Sequence, residues 1–452
     1  MEEILRAHNQ SVGNKNPKRK KRIKIVIWLL VFAVLGVVGW IAATGAIAIR
    51  NITSANTSER PSFLQDGSIA PDQLKKEGQT RINVLAIGLA EQGGTDTIQV
   101  VSIDPINNTM SMISLPRDLY VKSPTGYMSK INAIYLGSSK YCPTETNNCN
   151  PRIDYGAKAL KSVVETVLGI DVHYFAKVDF MGLVKIVDAV GGVTVTTEKS
   201  LSDSQYPCSD NPSKACGYYL SAGTHDLDGS GALKYVRCRK GTCDNDFGRS
   251  KRQQEVMGQL TKKLISVGVL SNPKKITDII SIAGSHLRTD LSLSEMSKLL
   301  ELVTKSSSQD GTNYVLDNNA ETGLLKAYTL GTYYLAPKLG LTNYSAIHEK
   351  VISIMPEPYI IKEGAKITIV NATGNSDSGI SLKKTLTNAG YVVVSNIEAA
   401  EIENNTTVSK NNDMPYTVSL LKLRLNATGV SATITPQSDI TITLGTDYLK
   451  DE

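Results

Sequence analysis

The sequence carries none of the short signatures that mark the commonest enzyme chemistries. It has no G-x-S-x-G, no H-E-x-x-H, no Walker loop and no G-x-G-x-x-G, which argues against hydrolase triads, zincins and nucleotide enzymes. No C-x-x-C occurs, and the histidines (His8, His173, His225, His286, His348) are scattered, so zinc ligation through cysteine has little to build on. Asp226-Leu227-Asp228-Gly229 and Asp244-Asn245-Asp246-Phe247-Gly248 resemble fragments of calcium loops, but neither has the distal glutamate of an EF-hand. Beyond residue 24 the chain also lacks net charge, with 41 basic and 41 acidic residues. A nucleic-acid partner is therefore not expected, and no helix-turn-helix pattern speaks for one.

The formal charge of +6 resides in residues 1–24, where eight basic side chains face only Glu2 and Glu3. Ile25–Ile49 follows as 25 residues without a charge, long enough to cross a hydrocarbon core of roughly 30 Å as a helix. The basic block before it and the single Arg50 after it place the N-terminus in the cytoplasm by the positive-inside rule. Ala46-Ile47-Ala48 would serve as a signal-peptidase exit, yet the apolar run is about twice a signal h-region. The expectation is a single-pass cell-membrane protein with the bulk of its chain extracytoplasmic. Residues 50–80, polar with Pro61 and Pro71, read as a linker. All six cysteines fall beyond the apolar run, in three close pairs: Cys142 and Cys149, Cys208 and Cys216, Cys238 and Cys243. An even count in an exported domain reads as disulfides, with 15 connectivities open.

At 452 residues the chain can hold more than one core. Ile82–Leu89, Thr97–Ile103 and Met110–Leu115 read as strands, the last two joined by a turn at Asp104–Asn108. Tyr155–Leu168 has helical spacing, Val172–Val178 is strand-like, and Phe180–Ala189 is a helix stopped by Gly191-Gly192 before a strand at Val193–Thr197. Alternation of this kind predicts an α/β sandwich around a central mixed sheet flanked by helices, over residues 81–350. A helix-rich tract is expected up to about residue 345. After the prolines of Met355-Pro356-Glu357-Pro358, a smaller α/β domain is expected over 360–448, from strands at Ala365–Asn371, Tyr391–Val394 and Ile440–Leu444 and helices at Ser378–Ala389 and Tyr416–Leu425.

The residues richest in chemistry are Arg237, Arg239, Asp246, Arg249 and Gln253. As a strand, Leu233–Arg239 would point Arg237 and Arg239 to one face. On a helix starting near Asp246, positions Asp246, Arg249 and Gln253 share a face. Converging guanidiniums repel each other, and their planar forks suit the oxygens of a pyrophosphate. The bland alternative is a solvated face paired with Asp244, Asp246 and Glu255. Arg117-Asp118, at the end of the third strand, is a second candidate. The loop Gly93-Gly94-Thr95-Asp96 is a third, either a turn or a magnesium ligand through Asp96.

Taken together, Ile82–Asp104, Ser111–Val121, Lys130–Tyr135, Val178–Val195, Leu220–Arg239 and Asp246–Gln254 resemble the LytR-CpsA-Psr family of membrane-anchored bacterial cell-wall enzymes, in order and spacing. Residues 364–448 resemble the LytR C-terminal domain. The resemblance implies a transferase that moves a glycopolymer from a polyprenyl-pyrophosphate carrier to a peptidoglycan acceptor. It also implies a hydrophobic cavity for the prenyl tail. It assigns Arg117, Arg237, Arg239 and Arg249 to the pyrophosphate, makes Asp246 and Gln253 associated polar positions, and makes Asp96 a magnesium-linked aspartate. One departure concerns that metal. Ala90 stands where the family has a second aspartate, leaving Glu91 as a stand-in, and Gly94 replaces an arginine. For the attacking hydroxyl, Asp96 and Asp118 are both open as proton acceptors. Two rival functions share the same residues: a lipid-pyrophosphate phosphatase, and a non-catalytic anchored binding module.

Overall fold

The computed structural model describes residues 69–90, 93–139, 153–208, 213–266, 278–279, 281–306, 311–329, 331–410, 412–427 and 438–450. The expected cytoplasmic tail and membrane span lie outside the described residues, as does Glu91. Among the described residues no helix is long and apolar enough to cross a membrane.

Strand β1 (Ile82–Leu89) sends Leu85 and Ile87 into one core and Ile82 and Val84 into another on its opposite face, as a period of two requires. It pairs antiparallel with β2 (Thr95–Asp104), which turns into β3 (Thr109–Ser114). In that turn Asp104 Oδ1 accepts from the Ile106 and Asn107 amides at 2.9 Å, and Asn108 takes a left-handed φ of 55°; Asp and Asn favour this chemistry. A short hairpin, β4 (Tyr120–Lys122) with β5 (Met128–Lys130), leads into α1 (Ile131–Ser139). Helix α2 (Tyr155–Leu168) begins where Asp154 accepts from the Ala157 amide and ends at Gly169 with φ 70°. Its Leu160, Val164 and Val167 fill the first core. Strand β6 (Tyr174–Asp179) then returns parallel to β1.

The chain continues through α3 (Phe180–Ala189), β7 (Val193–Thr197), β8 (Leu201–Asp203), β9 (Tyr218–Leu220) and β10 (Gly223–Leu227) to α4 (Gly229–Arg237) and α5 (Asn245–Ser266). The expected strand at Leu233–Arg239 is wrong. Asp228 caps the Gly231 amide, and Ala232, Tyr235 and Val236 are buried at i, i+3 and i+4, a helical period that packs onto the core with Val187 and Val195. Arg237 is the last residue of that helix and Arg239 lies beyond its cap. The tract to residue 345 is also less helical than expected. It holds α6 (Leu293–Lys305) and the end of α5, but β11 (Leu287–Thr289) and β12 (Asn313–Val315) extend the main sheet to the order β11-β6-β1-β2-β3-β12. A hairpin of β13 (Leu325–Tyr328) and β14 (Tyr334–Pro337) follows, then α7 (Ser345–Ile354). Three- and four-residue strands are too short to show a period.

Ile354 and Met355 still belong to the first core, whereas Ile360 of α8 (Pro358–Glu363) belongs to a separate one. That second core is built on β15 (Lys366–Asn371), α9 (Ser376–Asn388), β16 (Val392–Glu398), β17 (Thr407–Lys410), α10 (Pro415–Arg424) and β18 (Ile440–Leu444), with sheet order β16-β15-β18-β17. The linker reading fails from Ile69 onward. Leu74 enters the second core, Tyr416 donates to the Ile69 carbonyl at 2.9 Å, and Glu77 accepts from Tyr391 at 2.8 Å and from Arg424 Nε at 2.7 Å.

Of the six cysteines expected to form disulfides, four are described. Cys208 is bonded to Cys216 and Cys238 to Cys243, so sequence neighbours pair in both cases. The expected disulfide partners Cys142 and Cys149 lie outside the described residues.

Glu357 locks the junction between the cores. It is 1% exposed, accepts from the Gly78 amide at 2.6 Å and from the Thr80 hydroxyl, and burial pushes its carboxyl up to about 7. The folded chain thus holds a proton that the unfolded chain releases near 4.5. Stability from this group is fully present below 4.5 and falls as pH rises to about 7, by roughly 3 kcal/mol. Glu357→Gln should remove that component. The urea midpoint of the wild type should drop more between pH 5 and pH 8 than that of the variant.

Candidate functional site

The parallel strands β6, β1 and β3 end on one edge of the sheet, and antiparallel β2 begins there. Ligand groups gather at such carboxyl edges. Asp96 sits at the start of β2, Arg117 and Asp118 follow β3, and Asp179-Phe180 follows β6. Above this edge lie the end of α4, carrying Arg237, and the first turn of α5, carrying Asp246 and Arg249.

Asp246 is the hub. Its Oδ1 lies 3.1 Å from Arg249 Nη2 and 3.3 Å from Arg239 Nε, and its Oδ2 lies 3.6 Å from Arg117 Nε. In the first turn of α5 this carboxylate also complements the helix N-terminus. Asp96 accepts from Arg117 Nη1 at 2.6 Å and stands 3.8 Å from Arg249 Nη1. Asp118 closes the set, 3.7 Å from Arg117 Nε and accepting from Lys130 at 2.8 Å. Arginines from three separate stretches, Arg117, Arg239 and Arg249, therefore converge. Of the three acids proposed as neutralising partners, only Asp246 serves. Asp244 pairs instead with Lys199, and Glu255 accepts from Tyr235 and the Thr196 amide.

These contacts leave capacity unused. Arg117 Nε, Arg249 Nε and Asp246 Oδ1 are buried with charged neighbours but without a hydrogen bond of good geometry. Burial lowers the Arg249 guanidinium, and Arg117 and Arg239 lower it further against the pull of Asp246 and Asp96. For Arg117 burial acts in the same sense, but Asp246, Asp96 and Asp118 outweigh it and raise the group. An incoming anion would find donors already fixed and desolvated.

Arg237 occupies a different corner. Its guanidinium lies 4.3 Å from the centroid of the Phe180 ring and 5.8 Å from that of Tyr206. With Val178, Phe180, Leu183 and Val236 it lines a small apolar mouth that also reaches Asp96, Arg249 and Gln253, with a volume of about 40 Å³. That space suits a few waters and is too small for the prenyl tail that the resemblance implies.

As for magnesium, no three acidic, histidine or cysteine side chains among the described residues converge on one point. The described residues alone offer no cage. Magnesium is commonly held by one or two carboxylates with substrate phosphates supplying further ligands, and Asp96 fits that limited role.

Sequence reasoning missed the residues that build the Arg239 loop. Arg252 is 6% exposed and donates to the carbonyls of Tyr235 and Cys243 at 3.0 Å each, and to that of Cys238. From the other side, Asp203 accepts from the Arg239 and Lys240 amides at 3.1 and 2.9 Å. The bond between Cys238 and Cys243 closes the base of the loop. Gly248 has no room for a side chain, because a Cβ there would strike the Cys243 carbonyl. Gln254 was also passed over in favour of Gln253; it donates to Ser114 at 2.8 Å and the Tyr314 carbonyl at 2.9 Å, tying α5 to the sheet. Arg252 stands three residues after Arg249, which was the only available signal.

The family model LytR_cpsA_psr matches residues 44–338, and one described as "LytR cell envelope-related transcriptional attenuator" matches 364–448. The chain belongs to the LytR-CpsA-Psr family. It is 30% identical over 294 residues to a polyisoprenyl-teichoic acid–peptidoglycan teichoic acid transferase TagU of Oceanobacillus iheyensis, covering 63% of this chain and 82% of that one. It is 34% identical over 212 residues to the regulatory protein MsrR of Staphylococcus aureus, covering 46% and 56%. Among solved structures, TagV of B. subtilis superposes with a TM-score of 0.45 at 25% identity, over 63% of this chain and 98% of that one. Protein gbs0355 of Streptococcus agalactiae gives 0.48 at 24%, over 66% and 91%. Superpositions this loose do not transfer side-chain positions.

Replacing Arg252 should disable the site without touching its ligand-facing groups. Arg252→Ala strips three buried carbonyls of their donor, for a loss on the order of 2–4 kcal/mol. Arg252→Lys keeps the charge but cannot span the three. Both should lower the urea midpoint, alanine the more, and both should weaken pyrophosphate binding measured by calorimetry.

Proposed function

We propose that this chain transfers a glycopolymer from a polyprenyl-pyrophosphate carrier to peptidoglycan by phosphoryl transfer. The observation that carries this reading is the convergence of Arg117, Arg239 and Arg249 on Asp246 from separate elements, with the Arg117 and Arg249 Nε groups buried and lacking acceptors. Two linked phosphates have the charge and the oxygens to complete them. The TagU relative is named as a transferase between such partners, which supports the substrate class.

In the proposed reaction an acceptor hydroxyl forms a new bond to the phosphorus that bears the glycan. The bond from that phosphorus to polyprenyl phosphate breaks, and the hydroxyl proton passes to a carboxylate at the site. Arg117, Arg239 and Arg249 stabilise the charge that builds on the phosphate oxygens, in a site already organised to receive it. Arg237, stacked on Phe180 at the apolar mouth, would meet the phosphate nearest the lipid. Magnesium, where bound, would be held by Asp96 together with pyrophosphate oxygens and would add neutralising charge. The same reading has the chain at the cell membrane, anchored by residues 25–49 with its enzyme outside; the two disulfides fit an oxidising compartment.

The test is the double variant Arg237→Ala/Arg239→Ala. Each lost donor should lower the rate by on the order of 10²–10³, while circular dichroism and the urea midpoint stay near wild type. Full-length chain in membranes, supplied with carrier-linked glycan with and without peptidoglycan fragments, reports the product. Retained transfer by the folded double variant overturns the proposal, and release of free phosphorylated glycan in both arms would mark a phosphatase instead.

A further inference from the structure

Phosphoryl transfer, the reading on which this inference rests, demands two approaches to one phosphorus, because attacking and leaving oxygens lie roughly in line. The sheet order supplies two distinct sides. The apolar mouth, with Val178 and Phe180, stands at the end of β6, whereas Arg117-Asp118 stands at the end of β3. Three strand spacings separate β6 from β3 in the order β6-β1-β2-β3, or roughly 14 Å. The lipid-bearing leaving group belongs at the apolar end. The acceptor must then come from the Asp118 side.

That side carries an aromatic wall. The β13–β14 hairpin is docked against the residues after Arg117: the Leu335 amide donates to the Asp118 carbonyl at 2.9 Å, and Leu119 bridges Leu335. Its rings are braced. Tyr328 stacks on Tyr334 with centroids 5.2 Å apart, Tyr334 meets Tyr120 of β4 at 4.7 Å, and Lys326 lies 5.6 Å from the Tyr328 centroid. Tyr333, at the hairpin tip, is not part of that stack and is 43% exposed. Burial and the negative charges of Asp118 and Asp246 raise its phenol, so the hydroxyl keeps its proton and remains a donor. An exposed ring next to that braced stack, with a polar edge, suits a saccharide, whose C–H faces pack on aromatic rings while its hydroxyls bond to carboxylates and phenols.

We propose that Tyr333, at the tip of the β13–β14 hairpin docked against the Asp118 main chain, forms the acceptor-sugar subsite, gripping the saccharide that supplies the attacking hydroxyl. Asp118, rather than Asp96, is the carboxylate on this side. Asp96 lines the apolar mouth and is taken up by Arg117 at 2.6 Å, with Arg249 3.8 Å away. On attack, the sugar oxygen bonds to phosphorus, its proton moves to Asp118, and the bond to polyprenyl phosphate breaks with the electron pair leaving on that phosphate.

The experiment uses the full chain in membranes, carrier-linked glycan as donor and soluble disaccharide-peptide fragments of peptidoglycan as acceptor. Tyr333→Ala should raise the acceptor KM about 10-fold, the loss of one good contact, while the donor KM moves less than about twofold. Tyr333→Phe, which keeps the ring, should fall between wild type and alanine. Calorimetric titration of the acceptor fragments should show the same order of affinities. If Tyr333→Ala raises the donor KM instead, or changes neither, the subsite is overturned while transfer stands. If the wild type shows no turnover at all, the phosphoryl-transfer reading itself has failed, and the two failures are thereby told apart.

Discussion

The site depends on one carboxylate holding together three guanidiniums that would otherwise repel. Asp246 lies within 3.6 Å of arginines delivered by the β3 loop, the segment after α4 and α5 itself. Two unit charges 4 Å apart interact by about 4 kcal/mol at an effective dielectric of 20, so three cations without an acid between them would unfold the edge. With Asp96 and Asp118 added, the cluster is close to neutral, yet Arg117 Nε, Arg249 Nε and Asp246 Oδ1 keep charged neighbours without a hydrogen bond. The acids make the arginines foldable. They do not use up the directional donors, and that is what leaves the arrangement ready for an anion.

Such readiness requires that the arginines cannot swing to better partners. The Arg239 loop is held from both sides, its amides by Asp203 and its carbonyls by Arg252, with a disulfide across its base. Arg249 is 7% exposed on the first turns of α5, and Gln254 fixes that helix to β3 through Ser114. The groups that face a ligand are thus supported by a buried polar layer satisfied internally. Binding an anion to such a site needs little reordering, and most of the interaction energy remains available for it.

What the sequence disclosed follows from length and capping. Tyr155–Leu168 and Phe180–Ala189 were legible because each has a helical stripe, and an acid, Asp154 or Asp179, accepts the amide three residues on. Leu233–Arg239 was misread because β-favouring Tyr235 and Val236 stood next to two arginines whose spacing invited a strand. The decisive signals were Asp228 as a cap and the burial of Ala232 three residues before Tyr235. The convergence on Asp246 was half legible. An i, i+3 pair such as Asp246–Arg249 is local, but the approach of Arg117 depends on how β2 and β3 pair within the sheet and on where α5 packs over it. Arg252 and Tyr333 were invisible for opposite reasons. One bonds to main-chain carbonyls, and the other gains its neighbours from a hairpin that docks far along the sequence.

The junction between the two cores obeys the same rule of buried polar closure. Residues 69–81 run along the second core before they become β1, and their acids and amides pair with both units: Glu77 with Arg424, Gly78 and Thr80 with Glu357, Arg81 with the Pro356 carbonyl at 3.0 Å. Arg81 is 3% exposed and also donates to Ser102 on β2 at 2.7 Å, so the segment that opens the main sheet is also the one that seats the second unit. A flexible joint would expose these groups to water and lose their partners together. The second unit is therefore fastened to the start of β1, the strand whose other end lies at the sheet edge that carries Asp96 and Arg117.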